Sequence, residues 1–96
     1  MVRHIVCFKL AESTPETRAT ARDILLSMRG KVPTAQHIEV FLDELHSARS
    51  FDVMLQVDVQ SFEALDQYQN DPYHCNIVKK HMNAVAAQSI ALDFEL

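Results

Sequence analysis

Hydrophobic and polar positions follow two periods along this chain, and the switches between them mark out its elements. From Val2 to Leu10 the period is two. Val2, His4, Val6, Phe8 and Leu10 fall on one face, while Ile5 and Cys7 sit between Arg3 and Lys9 on the other. Apolar residues on both faces predict an inner strand covered on both sides. The segment STPE then opens a helix. Ser13 or Thr14 can cap it, Pro15 suits its first turn, and Glu16 can reach back in a capping box. Ala21, Ile24, Leu25 and Met28 follow at i, i+3, i+4 and i+7, an amphipathic stripe. Gly30, the only glycine, is placed to end this helix, with Pro33 soon after.

Period two returns from about His37 to Asp43, with Ile38, Val40 and Leu42 on one face. After the polar loop ELHSARS it is at its clearest. Phe51, Val53, Leu55, Val57 and Val59 alternate with Asp52, Met54, Gln56 and Asp58. Ser61 can cap a short helix whose inner face carries Phe62, Leu65 and Tyr68. Asp71-Pro72 restarts the chain as a longer helix with Ile77, Val78, Met82 and Val85 inward. The last strand, Ile90 to Leu96, sets Ile90, Leu92, Phe94 and Leu96 against Ala91, Asp93 and Glu95. The order is β-α-β-β-α-β, a ferredoxin-like α+β fold: a four-stranded antiparallel sheet with both helices on one face. No shift in composition divides the 96 residues, so 1–96 is read as one domain.

That arrangement leaves one sheet face without helices. The face is expected to carry Ile5, Cys7, Phe41, Met54 and Ala91 among several charges, too apolar to leave in water. Packing it on the same face of a second copy covers it at the cost of a single two-fold axis. A homodimer through the sheet faces, closing a dimeric α+β barrel, is therefore expected.

Charge and composition narrow the function classes. The net charge is -4 and the basic residues are scattered, which repels phosphate backbones and argues against nucleic acid as a partner. No segment approaches the ~20 apolar residues of a membrane span, and MVRHIVCFKL is too interrupted for a secretory signal, so no membrane partner is expected. Cys7 and Cys75 lack any CxxC spacing and read as reduced thiols of a cytoplasmic protein. One glycine rules out the glycine-rich nucleotide loops. His74 and His81 lie two turns apart, about 10 Å along a helix, too far to share a metal. Neither metal nor organic cofactor is expected.

What remains is a cluster around YQNDPYH. With Asp71 as cap and Pro72 at the first helical position, His74 sits at the positive end of a helix dipole, which disfavours the imidazolium. Tyr68 lies on the apolar side of the preceding helix, and His4 shares its strand face with Val6, Phe8 and Leu10. All three can point into the layer between sheet and helices. Two imidazoles and a phenol among apolar side chains make the composition of a small-molecule pocket. Each alone is equally the pattern of a packed core residue.

Three stretches carry a wider likeness: the opening RHIVCFKL, the strand and helix FDVMLQVDVQSFEAL leading into QYQNDPYH, and the closing ALDFEL. Together they resemble the stress-responsive A/B barrel domain (Dabb) family of the dimeric α+β barrel superfamily, over nearly the whole chain. The resemblance implies a ferredoxin-like subunit and a homodimeric barrel. It also implies a chemistry, because polyketide cyclases of this fold perform an aldol condensation without metal or organic cofactor. In those enzymes a tyrosine and a histidine at the positions of Tyr68 and His74 carry catalysis, and a histidine matching His4 lies in the pocket. This chain departs from them twice. Val53 stands where the cyclases have a further pocket histidine, and Ala21, Ile24, Leu25 and Met28 replace the aromatics of their first helix. The expectation is a homodimer holding a small apolar molecule in the sheet–helix cavity, against His4, Val6, Phe8, Leu25 and Val53. The alternative is a cofactor-free cyclase-like or lyase enzyme, with His74 as general base and Tyr68 as acid.

Overall fold

The computed structural model describes residues 1–96 and is built around one central strand, β1 (Val2–Leu10). It pairs antiparallel with β3 (Val53–Val59) on one side and β4 (Ala86–Glu95) on the other. β2 (His37–Leu42) adds to the far side of β3, giving the order β2-β3-β1-β4. Three helical segments lie over one face: α1 (Pro15–Leu26), α2 (Phe62–Gln69) and α3 (Lys80–Val85), the last continuing a π-helical stretch, His74–Lys79. This is the ferredoxin-like α+β fold.

The period-two strands put alternate residues under the helices, as expected for β1 and β3. Val2, His4 and Leu10 are buried, as are Val53, Leu55, Val57 and Val59, against Ala21, Leu25 and Met28 from the first helix. The opposite face carries the intervening residues and has no covering layer. Arg3 and Asp58, directly opposite across β1 and β3, form a two-pronged ion pair there, Nε–Oδ1 2.8 Å and Nη2–Oδ2 3.0 Å. The hydrogen bond from Arg3 holds the Asp58 carboxyl below its ordinary range.

Four local expectations are corrected. Thr14, not Ser13, caps α1, so the third helical residue is Thr17, and Thr17 rather than Glu16 completes the capping box with a 2.8 Å bond from the Thr14 N–H. Helix α1 proper stops at Leu26, but tight turns carry Met28 into the core before Gly30 reverses the chain at φ 75°. Phe62 and Ile77, expected inward, are about half exposed. Phe62 is the first residue of a short helix and lies at its open end. Ile77 is turned outward by the π winding that places Val78 inward.

The largest correction concerns β4. Its alternation matches the expectation, but the expectation that Ala91 lies on the uncovered face is the wrong way up. The register sets Ile90 beside Cys7, Leu92 beside Ile5 and Phe94 beside Arg3, so all three share the outer face. Ala91 pairs with Val6 and belongs to the helix side instead. A one-residue choice of register decides this for the whole strand. The uncovered face is therefore more apolar than expected, with Ile90, Leu92 and Phe94 added to Ile5, Cys7, Met54 and Phe41. Leu92 is 62% exposed and Ile90 52%.

Candidate functional site

Between the sheet and the last helix lies a cavity of about 210 Å³. Val6 and Phe8 of β1, Leu25 of α1 and Leu55 of β3 form its apolar floor. His4 and His74 line it as well, and Gln69, Lys79, Asn83 and Ser89 supply its polar wall. Larger depressions exist elsewhere: two, of about 370 and 410 Å³, are walled mostly by polar side chains, and one, of about 270 Å³, lies at the end of the sheet among Phe41, Phe51 and Met54 with Asp43 and Asp52. Of these, the sheet–helix cavity is the one that sets two imidazoles against an apolar floor.

Each side chain is placed by a local device. Asp71 accepts hydrogen bonds from the backbone N–H of Tyr73 at 2.9 Å and of His74 at 3.1 Å, fixing the start of the last helical run. His74 is thus held at a helix start and packed face to face on Tyr68, ring centroids 4.4 Å apart and planes 30° from parallel. The other side of the cluster comes from β1, where His4 meets the Tyr68 ring edge-on at 5.8 Å. Across the sheet His4 Nδ1 hydrogen-bonds Asp93, its register partner on β4. That contact fixes the ring and leaves Nε2 for the interior.

His74 is 8% exposed, and its Nδ1 is buried with no hydrogen-bond partner. Burial first, then the Lys79 charge, lower its pKa from the ordinary 6.5, and the His4 ring adds to the effect. The Gln69 carbonyl and Asp71 oppose it, the carbonyl lying near the ring without hydrogen-bonding its Nδ1. The net result is an imidazole that is neutral at pH 7 and free to accept a proton.

Tyr68 is placed differently from the expectation. It is completely buried, does not line the cavity, and its hydroxyl points at the Met28 sulfur, 3.6 Å away. Burial, helped by Asp71, pushes the phenol well above its ordinary pKa. Its ring is a spacer between the two imidazoles. Val53 also stays out of the cavity, buried in the sheet toward the far end of β3. His4, Val6, Phe8, Leu25 and His74 are brought together as expected. Asp93 was missed. The signal for it lay in the alternation of ALDFEL, which sets a carboxylate on the face opposite Leu92, but only the β1–β4 register shows that it meets His4.

A helix-covered antiparallel sheet in the order β2-β3-β1-β4, with a cavity at the start of the last helix, defines a ferredoxin-like α+β domain. The chain belongs to the stress responsive A/B barrel domain (Dabb) family, which matches residues 2–96. Solved structures agree on the fold. A dimeric ferredoxin-like protein of unknown function from Thermobifida fusca superposes with a TM-score of 0.85 at 21% identity, over 99% of this chain and 90% of its own. A Dabb family protein from Mesorhizobium loti gives 0.75 at 15% identity, over 99% and 95%. Hydroxynitrile lyase from Passiflora edulis gives 0.81 at 14% identity, over 99% and 92%. No curated protein matches the sequence.

Proposed function

We propose that this Dabb domain is a homodimeric binding module that holds a small apolar molecule in the sheet–helix cavity. The observation that carries the reading is the cavity lining: an apolar floor of Val6, Phe8, Leu25 and Leu55 with the His4 and His74 imidazoles converging on it. The dimer reading rests on the outer face. Ile90, Leu92, Phe94 and Phe41 form a contiguous exposed apolar patch, and the Thermobifida protein of the same fold is dimeric. Two free thiols and the absence of any helix long enough to cross a membrane support a cytoplasmic setting.

Thermal-shift and native mass spectrometry with small aromatic and aliphatic probes test the cavity. Ala91→Phe, at the exposed β4 side of the cavity, fills it without touching the core and is expected to abolish binding. Binding that survives this change, or no binding of any probe to the unmodified protein, overturns the reading.

One observation favours a second reading, an enzyme. Two imidazoles, one of them oriented by a carboxylate, share the wall of a cavity with apolar walls. In that case His74 takes a proton from carbon next to a carbonyl, as the general base. Tyr68 as the acid does not fit its contact with Met28, and His4 turns its Nδ1–H to Asp93, so the amide N–H groups of Gln69 and Asn83 are the donors within the same cavity. Nuclear magnetic resonance of α-proton exchange in a 1,3-diketone decides it, since exchange unchanged by His74→Ala removes the enzyme.

A further inference from the structure

One wall of the cavity carries a cation with nothing to neutralise it. Lys79, an exposed residue, lines the rim of the cavity beside Gln69 and Asn83, and its ammonium makes no ion pair. No aspartate or glutamate is among the lining residues. The acids that adjoin the site are committed elsewhere, Asp93 to His4 and Asp71 to the backbone N–H groups of Tyr73 and His74.

The winding of the chain explains how Lys79 reaches this wall. In an α-helix a residue five positions on is rotated by about 140°, which would carry Lys79 away from His74. In the π-helical stretch His74–Lys79 the hydrogen bonds run from i to i+5 and bring the two residues onto one side. Such insertions are uncommon, and their usual effect is to re-aim side chains at a site. Both residues accordingly line the same cavity.

We infer that the cavity takes a small apolar molecule carrying an anionic group, a carboxylate in the simplest case, with the anion at Lys79 and the apolar body against Val6, Phe8 and Leu25. The inference rests on the reading of this cavity as a ligand site and names the class of ligand. A volume of about 210 Å³ equals about seven waters, room for a molecule the size of benzoate or octanoate. The amides of Gln69 and Asn83 flank the cation and can donate to the same anion. Docking the charge at Lys79 also sets which part of the ligand meets the His74 imidazole.

Isothermal titration with matched pairs, benzoate against benzamide and octanoate against octanamide, tests the inference. Each acid is expected to bind about twofold to fivefold more tightly than its amide, the worth of one exposed charged contact. Lys79→Gln is expected to remove that preference, so that acid and amide bind alike. Lys80→Gln, on the exposed and cavity-free side, preserves it. Acid and amide binding equally in the unmodified protein, or a preference that persists in Lys79→Gln, overturns the inference while the ligand site stands. If neither member of either pair binds, both the site and its anion preference fall.

Discussion

Arg3 and His4 are adjacent on β1, yet they face opposite sides of the sheet, and the two sides meet water in opposite ways. Below the helices, polar groups are buried among apolar ones: His4 and His74 are both under one-tenth exposed. On the outer face apolar groups stand in the open, around the Arg3–Asp58 pair. The inner side spends its burial on holding two imidazoles and a phenol in fixed contact, which costs stability unless each is partnered. The outer side leaves its apolar surface uncovered in one subunit. A single strand thus builds two unlike faces through alternate residues.

Truncation separates the two sides most strongly. Leu55 is 2% exposed on the inner face, so Leu55→Ala is expected to cost about 2–5 kcal/mol in urea denaturation, at every protein concentration. Leu92→Ala on the outer face is expected to cost little in the isolated subunit. Its penalty is expected to grow with protein concentration, because it acts on the associated form. Equal, concentration-independent losses would erase the distinction between the faces.

A charge on the outer face sharpens the point. Leu92→Glu is expected to convert a dimer to a folded monomer at micromolar concentration by light scattering, with unchanged far-ultraviolet circular dichroism. The neighbouring Gln88→Glu, at the polar end of the same strand face, is expected to leave the dimer intact. A wild-type chain that is monomeric at that concentration would remove the partner from the comparison altogether.

The two faces are also expected to titrate in different windows. His74 has its pKa lowered below 6.5 by burial and Lys79, so between those values the unfolded chain binds more protons than the folded one. Stability is intact above 6.5 and falls as the pH drops through it. Asp58, whose carboxyl Arg3 holds below 3.8, keeps its stabilising effect down to that value and loses it only at lower pH. Thermal melts from pH 7 to 5 are expected to fall for the unmodified protein and to flatten in His74→Phe, with Asp58→Asn leaving this window unchanged. A slope that Asp58→Asn removes and His74→Phe does not would assign the effect to the wrong face.

How far these faces could be read beforehand depended on how much the chain constrained them. The inner faces of β1 and β3 were legible because long runs of alternation leave one parity strongly apolar. β4 was not, since ALDFEL alternates equally well either way up, and the β1 register that sets Ala91 toward the helices is a tertiary fact. The same register hid the His4–Asp93 contact, made between residues 89 apart in sequence. The Asp71-Pro72 helix start was legible from its capping chemistry, and His74 with it. The π winding after it was invisible, because HCNIVK fits an α-helix in every local preference. Its consequences, Ile77 outward and Lys79 at the rim of the cavity, were therefore missed.

The smallest expected effect concerns the one residue whose reading changed most. If Tyr68 is a spacer between two imidazoles, its ring matters and its oxygen hardly does. The hydroxyl's one contact is the Met28 sulfur at 3.6 Å, a weak acceptor, so Tyr68→Phe removes one poor hydrogen bond and leaves the stacking at 4.4 Å on His74 intact. Stability is expected to change by no more than about 0.5 kcal/mol, with ligand affinity and α-proton exchange unchanged. Tyr68→Leu keeps an apolar side chain but loses the ring, and is expected to loosen His74, seen as a weaker pH dependence of the melt. A large fall in exchange in Tyr68→Phe, with stability preserved, would mean that the phenol leaves Met28 and enters the cavity during turnover. The inner face would then move, and the contrast between a fixed inner side and an adaptable outer one would have to be reversed.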